Sequence, residues 1–203
     1  MDESFVDPPW DQPLDVEAAL ARVPEGETIK GMFLQPMLTS AKAKGVTFIG
    51  ARDRYVPFQD YPLREHAALL VAGAAALYPQ LSVRQGLRRL GRYAQAALTD
   101  STIGRVIWST AVDVPTALAA MAKAYAIAHP KSEVEIVDVA DRALVLRVAR
   151  IWWFLDSHHV GCFEGAMKAV GVEGTVKLKL SSWSAGDLQC RWLTLPSGWM
   201  KSS

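Results

Sequence analysis

The sequence predicts an α+β domain, with an N-terminal helical half packed on a four-stranded antiparallel sheet in the order strand-strand-helix-strand-strand (ββαββ). Two observations carry this. From Pro62 to Pro130 the chain is rich in Ala and Leu, with apolar residues recurring at helical spacing and proline or capping residues at the segment ends. After Pro130 it turns to β-branched, alternating stretches in two pairs, each pair joined by a connection short enough for antiparallel neighbours.

Residues 1–26 read as an arm with a short helix. Pro8, Pro9 and Pro13 keep its first half extended, and Asp15 caps VEAALARV, which Pro24 stops. Residues 27–196 form the single α+β domain and 197–203 a tail. ETIKGMFLQPML, running on to Lys44, takes no clear assignment before Gly45, Gly50 and Pro57 break the chain. LREHAALLVAGAAALY follows Pro62 as a buried helix that Pro79 ends. Ser82 and Gln85 make a capping box for VRQGLRRLGRYAQAAL. On that helix Val83, Leu87, Leu90 and Ala94 form an apolar stripe, and Arg84, Arg88 and Arg92 line the other side. Ser101 caps TIGRVIWSTA. Asp113 and Pro115 open ALAAMAKAYAIA, which His129 and Pro130 close.

EVEIVDV and ALVLRVARIW read as strands with Asp141 near their turn, and Leu144, Leu146 and Val148 share one face of the second. A helix starting at Asp156 or Ser157 carries Val160, Phe163, Met167 and Val170 and stops at Gly171. TVKLKLS and DLQCRWLTL flank WSAG as a four-residue turn. Val176, Leu178 and Leu180 face the core from one strand, and Leu188, Cys190 and Trp192 from the other; Lys179 faces solvent.

Bulk composition excludes several classes. Basic and acidic residues, 22 and 21, nearly cancel to a net charge of +1, which argues against a dedicated nucleic-acid binder. MDESFVDPPW has no secretion-signal character, and AALLVAGAAALYP is too short and Ala-rich to span a bilayer. Two cysteines, Cys162 and Cys190, make no disulfide framework. The expected location is the cytoplasm, with no nucleic acid or membrane as partner.

CFEGAMKAVG, TVKLKLSSW and GDLQC, in that order, resemble the 4-vinyl-reductase-like domain, also the effector-sensing domain of phenol-responsive transcription regulators. That domain shares its fold with haem-nitric-oxide-binding domains and a Golgi transport-complex subunit. From about Ile29 to Trp192 the chain is more closely similar to a paralogous family of uncharacterised proteins abundant in myxobacteria. IKGMF, REHAALLVAGAAALYPQLSVRQGLRRLGR, TIGRVIW and CFEGAMKAVG carry that likeness. The resemblance implies a ligand-binding fold. The zinc positions of the sensors fall on Asp156, Lys179, Ser182 and Cys190. An ammonium and a hydroxyl there leave Cys190 as the one soft ligand, so the resemblance implies a degenerate site and no metal.

Several residues invite a sharper reading. In LDSHHVGC, His158 and Cys162 are four apart, but two ligands make no metal site, and the stretch reads as a polar helix entry with a small buried cysteine. His66 is the position for an axial ligand if the haem relatives are the guide, and no propionate clamp accompanies it. Arg84, Arg88, Arg89, Arg92 and Arg105 read as a solvated helix side. No GxSxG, P-loop or GxGxxG is present, and the chain reads as no enzyme.

The expected function is a non-catalytic cytoplasmic small-molecule sensor or signalling adaptor. It binds an apolar ligand near the junction of sheet and helices, takes no cofactor, forms a homodimer and passes its signal to an unidentified protein. Trp108, Trp152, Phe163 and Met167 would line the pocket, and Gly161 and Gly165 would make space in it. The alternative is a ligand-free protein-interaction or dimerisation module, like the transport-complex relative, with the pocket filled by side chains.

Overall fold

The computed structural model describes residues 4–48, 51–100 and 102–193. Helix α1 (Val16–Ala21) starts at Asp15, whose carboxylate accepts from the Ala18 N–H at 2.9 Å. The stretch without a clear assignment divides in three. Strand β1 (Thr28–Lys30) comes first, then a single 3-10 turn, then α2 (Gln35–Ala43). Strand β2 (Asp60–Pro62) returns to pair antiparallel with β1 and leads into α3 (Leu63–Leu77).

Helix α4 (Val83–Asp100) opens on the expected box: the Gln85 N–H donates to Ser82 Oγ at 3.2 Å, and the Ser82 N–H to Gln85 Oε1 at 3.3 Å. Helix α5 (Thr102–Ile107) is shorter than TIGRVIWSTA, so Trp108 sits in the turn beyond it; the expected cap, Ser101, lies outside the described residues. Helix α6 (Val114–Ala128) has Asp113 and Thr116 capping each other reciprocally.

Strands β3 (Glu133–Ala140), β4 (Ala143–Ala149), β5 (Gly174–Ser182) and β6 (Ala185–Trp192) form one antiparallel sheet in the order β3-β4-β6-β5. Leu144, Leu146 and Val148 pair with Cys190, Leu188 and Gly186, so the inward faces of β4 and β6 align. Two details of the last hairpin correct the sequence reading. Its turn is the two residues Trp183 and Ser184, because Ala185 and Gly186 already pair as strand. A register shift between Leu180 and Ser182 turns Leu180 outward to 42% exposure, so it adds little to the core. Val176, Leu178, Leu188 and Cys190 are buried as expected, and Lys179 is exposed.

Helix α7 (Val160–Ala169) crosses between the two hairpins. It does not begin with a cap at Asp156 or Ser157. One π-type turn, Leu155–His159, precedes it, entered through Phe154 in the left-handed region at φ 43°. Such a conformation in a non-glycine residue is uncommon, and here it swings the His158–His159 pair inward.

Two apolar cores result. One lies between the sheet and α6 and α7; the other holds α2, α3, the apolar side of α4, and Trp153 with Phe154. Helix α4 runs between them. Its arginine side is therefore not the solvated face expected from composition. Arg84 pairs with Asp156, while Arg88 and Arg92 both grip Glu164 of α7, whose side chain is only 3% exposed. The Arg88 guanidinium also stacks over Trp10, 4.3 Å from the ring centroid. The arm is thereby laid on the surface, and Val6 and Leu178 exchange two 2.8 Å backbone hydrogen bonds at the β5 edge.

Arg88→Met should cost about 2 kcal/mol, the scale of lost hydrogen bonds to a buried charge, because Arg92 remains to hold the carboxylate. Arg89→Met, at an exposed position of the same helix, should stay within about 0.5 kcal/mol. Urea unfolding of the two variants checks the difference.

Candidate functional site

A cavity of about 70 Å³ opens between α2, α3, α4, α6 and the start of α7. Its lining is mostly apolar, including Met37, Leu70, Leu90, Met121 and Ala124. The polar members are His66 of α3, Gln95 of α4, Tyr125 of α6, Cys162 of α7, and Trp153, His158 and His159 from the segment leading into it. Tyr93, 40% exposed, and half-buried Phe33 and Pro36 form the outer rim.

The aromatic rings form one connected cluster. Trp153 meets His66, His129 and His159 edge-to-face, with centroids 6.1, 5.5 and 4.6 Å away. His158 stands 6.3 Å from His66 and 5.2 Å from His159. The Tyr125 hydroxyl is hydrogen-bonded to His159 Nδ1, and Cys162 Sγ lies 3.6 Å from His158 Nε2.

Among the described residues no Asp, Glu, Lys or Arg lines the cavity, and burial decides the protonation states. Desolvation pushes His66 down to about 3 and His158 to about 4, and holds His159 well below its ordinary value; proximity to the other rings adds to the drop at His66 and His159. It raises the Cys162 thiol to about 12 and the Tyr125 phenol well above 10. Every one of these groups is neutral at pH 7. Among the described residues no three His, Cys, Asp or Glu side chains are grouped to hold a metal ion.

The site differs from the one read in the sequence. His66 is 4% exposed and fully inside, because α3 is covered on this face by Trp153 and the π-type turn. His158 and His159 are buried too, rather than a polar helix entry. Of the expected pocket residues, Trp108, Phe163 and Met167 are buried in the sheet-side core, one layer behind the cavity wall. Phe163 stacks on Tyr125 at 5.8 Å and so supports the wall without touching the void. Trp152 is half-buried beside Trp183 at the hairpin turn. Gly161 and Gly165 make no ligand space. Their missing Cβ atoms admit the α4 backbone at Arg88 and the Gln95 side chain. Tyr125 and Gln95 were missed altogether. The signal for Tyr125 was a polar aromatic four residues after Met121 on an otherwise Ala-rich helix.

The positions matching the sensors' zinc ligands make no group of metal ligands among the described residues. Asp156 is held by Arg84, and Lys179 points outward opposite Asp187. Ser182 is exposed near the turn, and Cys190 is wholly buried on the core face, its thiol pushed up by desolvation.

Helical half, sheet and cavity together place the chain in a known structural class, the H-NOX fold. An H-NOX protein from S. oneidensis in the Fe(II)NO state matches with a TM-score of 0.64 at 12% identity, covering 82% of this chain and 100% of that one. The Fe(II) unliganded H-NOX protein from K. algicida gives 0.63 at 12%, with 83% and 98% covered. A structure from work on haem distortion in the H-NOX family gives 0.61 at 14%, with 86% and 100% covered. Identities this low establish the fold alone. By sequence, the chain belongs to the family described as protein of unknown function DUF2378, whose model matches residues 22–192. Comparison with curated proteins finds no match.

Proposed function

We propose that this chain is a non-catalytic, cytoplasmic small-molecule sensor or signalling adaptor whose ligand occupies the histidine-lined cavity. The observation that carries this is an apolar cavity with buried neutral rings, in a fold whose solved members include proteins with NO- or CO-ligated iron. The resemblance of the last hairpin to 4-vinyl-reductase-like sensors supports the same reading. The ammonium at Lys179, the hydroxyl at Ser182 and the ion pair that holds Asp156 favour a hairpin without zinc.

Catalysis is not favoured, because general acid-base work near neutrality needs a group titrating there. The cavity offers rings at about 3 and 4 and a thiol at about 12.

Haem does not fit this cavity. The histidine nitrogens are suitable axial ligands. Yet 70 Å³ is well below the roughly 300 Å³ at which sites for much smaller organic ligands begin, and no cation lines the wall to meet its two carboxylates. The ligand is a smaller molecule. Its binding would bias how α4 and α6 seat on α7, and a homodimer or partner protein would read the shift.

Ala124 on α6 faces the void and is 2% exposed. Native mass spectrometry of protein from its own host should show a low-mass adduct, absent from Ala124→Leu, which fills the space at a cost of about 1–3 kcal/mol. The same bare mass for both chains would count against the sensor.

One observation favours a second reading, a ligand-free interaction module. The region of Trp108, Phe163 and Met167 is packed solid, and the β3 edge carries exposed Val137 and Val139. Sedimentation of the wild type and Val139→Lys tests that edge, while the low-mass adduct, which only the sensor reading predicts, separates the two. An interaction edge predicts a dimer that the lysine breaks.

A further inference from the structure

Resting on the sensor reading, we infer that the cavity's ligand is a small uncharged molecule bearing both a hydrogen-bond donor and an acceptor, held by Gln95, Trp153 and His66. The size comes first. About 70 Å³ holds on the order of five heavy atoms, counting one water per ~10–15 Å³. The charge follows from the lining, which has neither cation nor carboxylate, so an ion would enter without a counter-charge.

The hydrogen-bond inventory sets the rest. Gln95 is 2% exposed, and its amide nitrogen donates to Thr99 Oγ1 at 3.2 Å. The Thr99 hydroxyl donates in turn to the main-chain carbonyl of Gln95 at 3.0 Å, so it can only accept from the side-chain amide, which fixes that amide's orientation and leaves Oε1 without a partner. Oε1 can only accept. Trp153, 4% exposed, has an unpartnered Nε1–H that can only donate. His66, 4% exposed, leaves Nδ1 open to either role.

The other polar groups of the wall largely occupy one another. Tyr125 bonds His159 and Cys162 lies against His158; the remaining ring nitrogens, His158 Nδ1 and His159 Nε2, make no bond of full geometry, although the Leu87 and Trp153 carbonyls stand beside these rings. Buried polar atoms in native proteins rarely stay unpaired, so three at one void ask for an occupant that meets them. A hydrocarbon satisfies none. A ketone leaves Gln95 unmet. An amide, lactam or alcohol can serve both Gln95 and Trp153.

The test uses the full chain and four probes of about five heavy atoms. These are N-methylacetamide (donor and acceptor), butanone (acceptor only), propionate (charged) and cyclopentane (apolar). Titrations are followed by the Trp153 indole and Gln95 side-chain ¹H–¹⁵N signals. The amide should saturate both signals and bind at least tenfold more tightly than the other three, and Gln95→Leu should erase that preference. Should Gln95→Leu fail to fold, the ranking on the wild-type chain still decides. Equal binding of cyclopentane and the amide would overturn the inference while leaving the sensor reading standing. Binding of none, with long-lived water contacts to the Trp153 indole proton, would overturn both, because the void would then be a hydrated core.

Discussion

Between pH 6.5 and roughly pH 4.5 the folded chain is expected to lose at least about 5 kcal/mol of stability, before carboxylate titration contributes much. The source is the histidine cluster. In the unfolded chain each ring titrates near 6.5, whereas in the fold desolvation holds His66 at about 3 and His158 at about 4. Below pH 6.5 the unfolded state therefore binds more protons than the native state, so falling pH favours unfolding. By pH 4.5 each ring has about two pH units of linkage, at about 1.4 kcal/mol per unit. His159 and the more weakly depressed His129 act in the same direction. Glu27, held below its ordinary 4.5 by His129 and Lys131 despite desolvation, adds its share only further down. A total near 5 kcal/mol rivals the whole stability of many domains, so the chain should unfold in mild acid. Urea midpoints measured from pH 7.5 to 4.5 give the slope, and His66→Leu should remove about a third of it. A flat profile would mean that the rings are hydrated and can charge in place. The cavity would then be no dry binding site.

The same cluster shows which features were legible in the residues alone. Caps and alternation are local, so Asp15, Ser82 with Gln85, Asp113, and the inward Leu144, Leu146 and Val148 could be placed without tertiary knowledge. The hairpin turn was misread because Gly186 looks like a turn residue; it is a strand position whose missing Cβ admits the Lys179 and Leu180 backbone. The arginine side of α4 looked solvated because nothing local announces that Glu164, 76 residues from Arg88, will be buried opposite it.

The pocket was misplaced by one helical layer for a related reason. Periodicity put Phe163 and Met167 on an inward face of α7, and they are inward, but they face the sheet. Which side of α7 meets a void depends on the π-type turn before it. That turn depends on a left-handed Phe154, which has no sequence signature. His158 with Cys162 carried the right spacing, yet without the fold it could not be told from an ordinary helix entry.

Gly161→Val is expected to cost more than about 4 kcal/mol, the largest single-residue effect in the helical half. Glycine inside a helix ordinarily costs about 0.5–1 kcal/mol relative to alanine, so most such positions gain from a side chain. Here the sign reverses. A Cβ at Gly161 would run into the Arg88 carbonyl, and one at Gly91 would run into the His158 carbonyl; both neighbours are backbone and cannot give way. The two glycines face each other's helices, so α4 and the start of α7 approach backbone to backbone. Gly165 is crowded too: a built Cβ would lie 2.8 and 3.1 Å from Gln95 Cβ and Cγ, the first of which moves only with the α4 backbone, and 3.2 Å from the Arg92 carbonyl, so Gly165→Ala should also cost stability, though less than Gly161→Val. The same crossing sets the cavity wall. Forcing α4 outward carries Gln95 and Tyr93 away from His158 and Trp153, which separates the donor and acceptor that face the void. Gly161→Ala, the milder change, should therefore lose probe binding even where urea unfolding shows it still folded. If Gly161→Ala instead bound as tightly as the wild type, the crossing would not determine the site, and the wall would have to be held by α3 and α6 alone.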